Sequence, residues 1–137
     1  MSVGLGGSTV VETGIERLVA LAFVITGLSH LTAPRAWAQF FIAMRERGAH
    51  GGLLNAYVHM PLGLLIVAFH PVWSGWPLVV TLIGCALTFK GALYFLWPAL
   101  ALRSMAHVSE ERADDFRIAG VFALALGLLC GWIAMGR

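Results

Sequence analysis

Charge is scarce in this sequence. Lys, Arg, Asp and Glu together make up 12% of 137 residues, about half the 25% usual in soluble domains. A surface facing water on all sides is excluded by that density. The net charge is +2, and no run of basic residues supports it, which excludes nucleic acid as a partner. Cysteine is scarce too. Cys85 and Cys130 sit alone in apolar runs, with no CxxC spacing, so they read as small packing residues and not as a redox or metal pair. The start, MSVGLGGSTVVE, lacks the basic region of a cleaved signal peptide, and the first apolar segment is expected to be retained. No carboxylate is expected within the apolar spans, so acid–base and nucleophilic catalysis lack a candidate and no enzymatic reaction is assigned.

Long apolar runs are what the chain does have. Crossing a hydrocarbon core of about 30 Å takes about 20 mostly apolar residues in a helix. Four stretches qualify, at about 15–33, 53–70, 77–97 and 118–135. The expected fold is therefore all-α, a single membrane domain with four spans packed as a bundle. Thr9 and Glu12 form a T-x-x-E capping box, which would start the first helix early. Ser109, followed by Glu110 and Glu111, is expected to cap the fourth. Between the second and third spans lies only PVWSGW, a tight turn that makes those helices antiparallel neighbours. In the first connection, RAWAQFFIAMRER, Trp37, Phe40, Phe41 and Met44 recur at i, i+3, i+4 and i+7. This is an apolar stripe expected to lie along the membrane surface.

Arginine sets the orientation. Arg35, Arg45, Arg47, Arg103 and Arg112 fall in the first and third connections, with Arg117 at their edge, against Arg17 and Arg137 on the other side. By the positive-inside rule both long connections are cytoplasmic and both termini periplasmic, in a bacterial inner membrane.

The two halves resemble each other. A shift of 64 positions aligns residues 17–70 with 81–134 without a gap and gives ten identities, among them Gly27/Gly91, Pro34/Pro98, Glu46/Glu110 and the run Leu62–Leu65/Leu126–Leu129. The expectation is a tandem repeat of two-span hairpins, related by an axis along the membrane normal.

Lipid makes polar residues costly, so those inside the spans point to a site. Lys90 is the charged residue deepest in a span. Three helices carry polar pairs four residues apart, which share a helix face: Thr26/His30, Asn55/His59 and Lys90/Tyr94. All three pairs fall in the cytoplasmic half, and Pro61 frees a backbone carbonyl nearby. The expected site is a ligand pocket built from Thr26, His30, Asn55, His59, Lys90 and Tyr94. A neutral histidine beside a lysine can hold the carbonyl or hydroxyl of a lipid-soluble molecule such as a quinone, or relay protons. Bis-histidine haem ligation by His30 and His59 lacks a haem motif, and a metal lacks enough ligands in one place. His50, His70 and His107 read as interfacial.

The run AFVITGLSHLTAPRAWAQFF, followed by VHMPLGLL, resembles the first hairpin of the DoxX-like group of small four-span membrane proteins. The resemblance rests on Gly27 to Leu31, Pro34, Phe40/Phe41, and His59 four residues before Gly63. His30 stands where that group usually has lysine, and His59 where it usually has glutamate. The second hairpin, KGALYFLWP through RIAGVFALALGLL, is similar to small two-span proteins of the YjeT type, whose function is unassigned. The resemblance implies a four-helix bundle and, for some DoxX-like members, association with membrane redox or thiol-oxidising complexes. The leading expectation is a small ligand-binding or accessory subunit of a larger membrane assembly, one handling quinones. A small-solute or proton transporter or channel working as an oligomer is the second reading. A structural membrane protein whose polar pairs are interhelical glue is the third.

Overall fold

Within a bilayer every backbone N–H and C=O must be satisfied by the chain itself, and helices do this locally. The computed structural model describes residues 4–136, with side chains from residue 9 onward. The described residues form six helices: α1 (Gly4–Thr32), α2 (Pro34–Glu46), α3 (Ala49–Phe69), α4 (Leu78–Leu96), α5 (Pro98–Met105) and α6 (Asp115–Met135). Three of them, α3, α4 and α6, are long and apolar enough to cross a membrane. The chain is a helical membrane protein. The extreme N-terminal residues, read above for a signal peptide, and Arg137, counted for orientation, lie outside the described residues.

Helix boundaries follow proline and glycine. Pro34 and Pro98 each open a short helix at its first turn, where the missing N–H costs nothing. Gly48, at φ +59°, turns the chain from α2 into α3, a backbone region that side chains rarely tolerate. The sequence misjudged both capping signals. Helix α1 already runs at Gly4, so Thr9 lies inside it, and its backbone carbonyl accepts a bond from the Thr13 hydroxyl. Residues 110–114 form successive tight turns, and α6 starts at Asp115. Acidic residues at 110, 111, 114 and 115 repel one another, while Arg112 pairs with Asp115 at 2.8 Å and Arg117 with Asp114 at 3.3 Å across these turns.

Small residues set the packing of the long helices. Helix α1 lies along α6, and α3 lies along α4. Gly27 abuts the backbone of Leu124, and Gly127 that of Val24; a Cβ would come within 2.6 Å and 2.7 Å. In the other pair Gly91 abuts Met60 and Gly63 abuts Thr88, where a Cβ would come within 2.6 Å and 2.5 Å. Such contacts let backbones approach where lipid offers no hydrophobic drive to association. All four long helices meet in one apolar cluster of Val19, Ala20, Ile66, Val80, Cys130 and Ile133. A second cluster, Met44, Ala101 and Met105, lies under the short helices at the other end. The stripe on α2 turns inward and not only toward lipid: Met44 is buried in that second cluster, and Trp37 and Phe41 stack on neighbouring rings.

Candidate functional site

At the C-terminal end of α4 and the facing part of α3, polar side chains gather around a cavity of about 200 Å³. Asn55, His59, Lys90 and Tyr94 line it, with Ser104, Phe41, Met105, Val108 and Phe116. Helix spacing places them. Residues 55 and 59 share one face of α3, and residues 90 and 94 share one face of α4. Gly91, pressed against Met60, holds the two helices close at this level.

The hydrogen bonds define the state of His59. Its Nδ1 lies 2.9 Å from the Asn55 carbonyl, which can only accept, so Nδ1 carries the hydrogen. In the neutral ring Nε2 is then a bare lone pair, and the Lys90 ammonium donates to it at 3.1 Å. Lys90 is thus turned toward His59. Its nitrogen also stands 5.7 Å from the centre of the Tyr94 ring, and that ring meets His59 edge-on at 6.3 Å. The Asn55 side chain is buried, and among the described residues its Oδ1 has no hydrogen-bond partner. One lysine N–H is committed to His59, which leaves two donors for a further acceptor.

Of the six residues the sequence singled out, four are brought together and two are not. His30 donates from Nδ1 to the Thr26 carbonyl at 2.8 Å, which keeps that pair on α1. Its ring is stacked on Trp37 at 4.3 Å and on Phe116 at 5.6 Å, and Phe116 in turn stacks on Phe41. Neither Thr26 nor His30 lines the cavity. Their role is one step removed, because Trp37, His30, Phe116 and Phe41 form a continuous aromatic stack whose last two rings are cavity walls. The Trp37 indole is fixed by a bond to Ser29 Oγ at 2.9 Å.

Sequence reasoning missed Arg45, Phe116 and a second polar cluster. Arg45 reaches from α2 to the carbonyls of Met105 at 2.8 Å, Ala106 at 3.3 Å and Val108 at 3.0 Å. It thereby caps α5 and fixes Met105 and Val108 beside the cavity. Phe116 was hidden by the early helix start expected at Ser109. The second cluster joins His70, which the sequence read as interfacial, to Glu16, which the sequence left without a role. His70 and Glu16 are fully buried and meet at 3.0 Å. Two charge-capable groups at the expected span ends read naturally as exposed, and nothing in the spacing of residues 16 and 70 tied them together.

Residues 79–134, less than half of the chain, match the model of a family described as an uncharacterized protein conserved in bacteria (DUF2065). No curated protein and no solved structure matches the chain. The matched segment takes in Lys90, Tyr94 and Phe116, but not Asn55 or His59. The cavity therefore draws one wall from inside the matched region and one from outside it.

Proposed function

We propose that the protein is a four-span protein of a bacterial inner membrane that holds a lipid-soluble ligand between α3, α4 and α6 as a subunit of a larger, quinone-linked assembly. The observation that carries this reading is the Lys90–His59 bond at 3.1 Å beside a cavity with aromatic walls. A cation donor aimed along the wall, a buried amide oxygen without a partner and flat rings suit a ring bearing carbonyl or hydroxyl groups. Such a ligand accepts from Lys90, which has donors to spare. The resemblance to DoxX-like proteins points the same way, toward redox complexes.

Helix α1 is the fourth span in this reading. Its residues 18–28, LVALAFVITGL, are uncharged, and its 29 residues extend about 43 Å at 1.5 Å per residue, enough to cross. The duplication is part of the proposal, and the glycine contacts support it. Adding 64 to Gly27 and subtracting it from Leu124 turns the Gly27–Leu124 contact into Gly91–Met60. The same exchange turns Gly63–Thr88 into Gly127–Val24. A two-fold relation between halves requires such swaps, and compositional likeness does not.

The test is a search for bound small molecules. Protein extracted gently from membranes is analysed by mass spectrometry for lipid-soluble compounds, beside the Lys90→Met variant prepared in the same way. A quinone retained by the wild type and lost from the variant supports the proposal. Equal contents in the two preparations contradict it.

A further inference from the structure

The cluster of Glu16, His70 and Thr81 lies apart from the cavity, where α1, the end of α3 and the start of α4 meet. Glu16 and His70 are fully buried and Thr81 is 1% exposed. His70 Nε2 faces Glu16 Oε1 at 3.0 Å, and His70 Nδ1 faces Thr81 Oγ1 at 3.0 Å. The same hydroxyl is within reach of the His70 carbonyl at 2.9 Å and of the Val72 carbonyl at 2.7 Å. Proton counting makes this arrangement informative. A hydroxyl has one hydrogen to give, and three acceptor positions surround this one.

We propose that Glu16, His70 and Thr81 form a buried proton-binding site in which one proton, taken up at His70 Nδ1, is exchanged against the hydrogen bond of the Thr81 hydroxyl. Without the proton, Nε2–H donates to the Glu16 carboxylate, and the Thr81 hydroxyl donates to the bare Nδ1. With it, Nδ1–H donates to Thr81 Oγ1, Nε2–H still donates to Glu16, and the hydroxyl hydrogen turns to the carbonyls of His70 and Val72. The count closes: one proton enters, one hydroxyl rotates, and the cluster passes from one negative charge to none. The four distances suit the protonated form; without the proton, Thr81 Oγ1 faces the Val72 and His70 carbonyls with no hydrogen between them, so these oxygens must draw apart.

Among described residues, the other titratable or charged groups near it are Glu12 and Arg17 on α1, Cys85 one turn past Thr81 on α4, and Cys130 on α6, close enough to interact electrostatically with Glu16. The turn 71–77 contributes no ionisable side chain. Its Val72 carbonyl links Thr81 to the exposed edge of the fold, where Trp73 and Trp76 are open. Proton occupancy is thereby coupled to how the α3–α4 turn is held. A purely structural ion pair predicts none of this switching, although it would also pin α1 to α3.

The experiment is ¹⁵N NMR of the full chain, labelled at histidine and reconstituted in bilayers, between about pH 4 and pH 10 to bracket ordinary histidine titration. The His70 signals are assigned by their absence in His70→Gln. The expected result is a single transition in which Nδ1 loses its hydrogen as the pH rises while Nε2 keeps one. In Glu16→Gln the transition moves to lower pH, since the imidazolium loses its counter-charge. Three results overturn the proposal: an Nδ1 unchanged through the range, loss of hydrogen from Nε2 instead, or a transition in Glu16→Gln at the wild-type pH. The first two need only the wild-type titration and the His70 assignment, so a Glu16→Gln variant that misfolds leaves the test intact.

Discussion

At the scale of single residues, the chain spends its few polar groups in pairs that complete each other. Lys90 was legible in the sequence as a cation too deep for lipid, and His59 as its neighbour across a tight hairpin. Their partnership follows from helix spacing plus the glycine contact beside it. His30 looked equivalent by the same spacing, yet its ring is taken up by Trp37 and Phe116. Periodicity gives the face of a helix, but not which of two adjacent helices that face meets. Glu16 and His70 were illegible for a related reason. Burial in the core between four helices depends on tertiary approach, and 54 residues separate them. The glycines offer a direct check at this scale. Gly63→Leu puts a side chain where even a Cβ would sit 2.5 Å from Thr88 N. It should destabilise the α3–α4 pair by about 1–3 kcal/mol, as overpacking does. Denaturant unfolding in mixed micelles measures this, and Gly14→Leu, with open space around it inside α1, should not lower the midpoint, since leucine favours a helix over glycine.

At the scale of elements, the long helices were readable and the short ones only in part. The expected spans at 53–70, 77–97 and 118–135 fall within a few residues of α3, α4 and α6, because apolar length is a sum over many residues. Caps rest on one or two residues, and both capping signals failed. The stripe of α2 was found correctly, but its neighbours were not. It packs on Ala101 and Met105 of α5 and on Phe116, so it serves as a cover for the cavity. Arg45 is the fastening of that cover. Arg45→Ala removes a charged donor from three carbonyls and should cost about 1.5–3 kcal/mol. Hydrogen exchange is the measurement. Amides from Ala101 to Val108 should exchange faster in the variant, with those of α3 and α4 nearest Gly63 unchanged. Uniform acceleration throughout the chain would show that the arginine does not act locally.

At the scale of the whole molecule, the proposed topology puts both long connections on the cytoplasmic side. It rests on arginine counts, which the fold itself does not record. Single cysteines at Ser74 and Ala49, both exposed, in a background without Cys85 and Cys130, separate the two sides. A membrane-impermeant thiol reagent applied to spheroplasts should label the cysteine at 74 and not the one at 49. The reverse pattern would invert the orientation. The molecule then has two polar centres at opposite ends of the α3–α4 pair, with Asn55, His59, Lys90 and Tyr94 at one and Glu16, His70 and Thr81 at the other. The first was largely readable from sequence and the second was not, since only the first is written in short spacings along single helices.

In the proposed function Lys90 and His59 act as one unit on a bound molecule. Native mass spectrometry of the wild type, Lys90→Met, His59→Leu and the double variant counts bound ligand per protein. Partners in contact give non-additive effects, whereas independent sites add. Each single variant is expected to lose the ligand, the double variant to be no worse than either, and all three to stay folded. Retention in both single variants, or two partial losses that sum in the double, would contradict the proposed function.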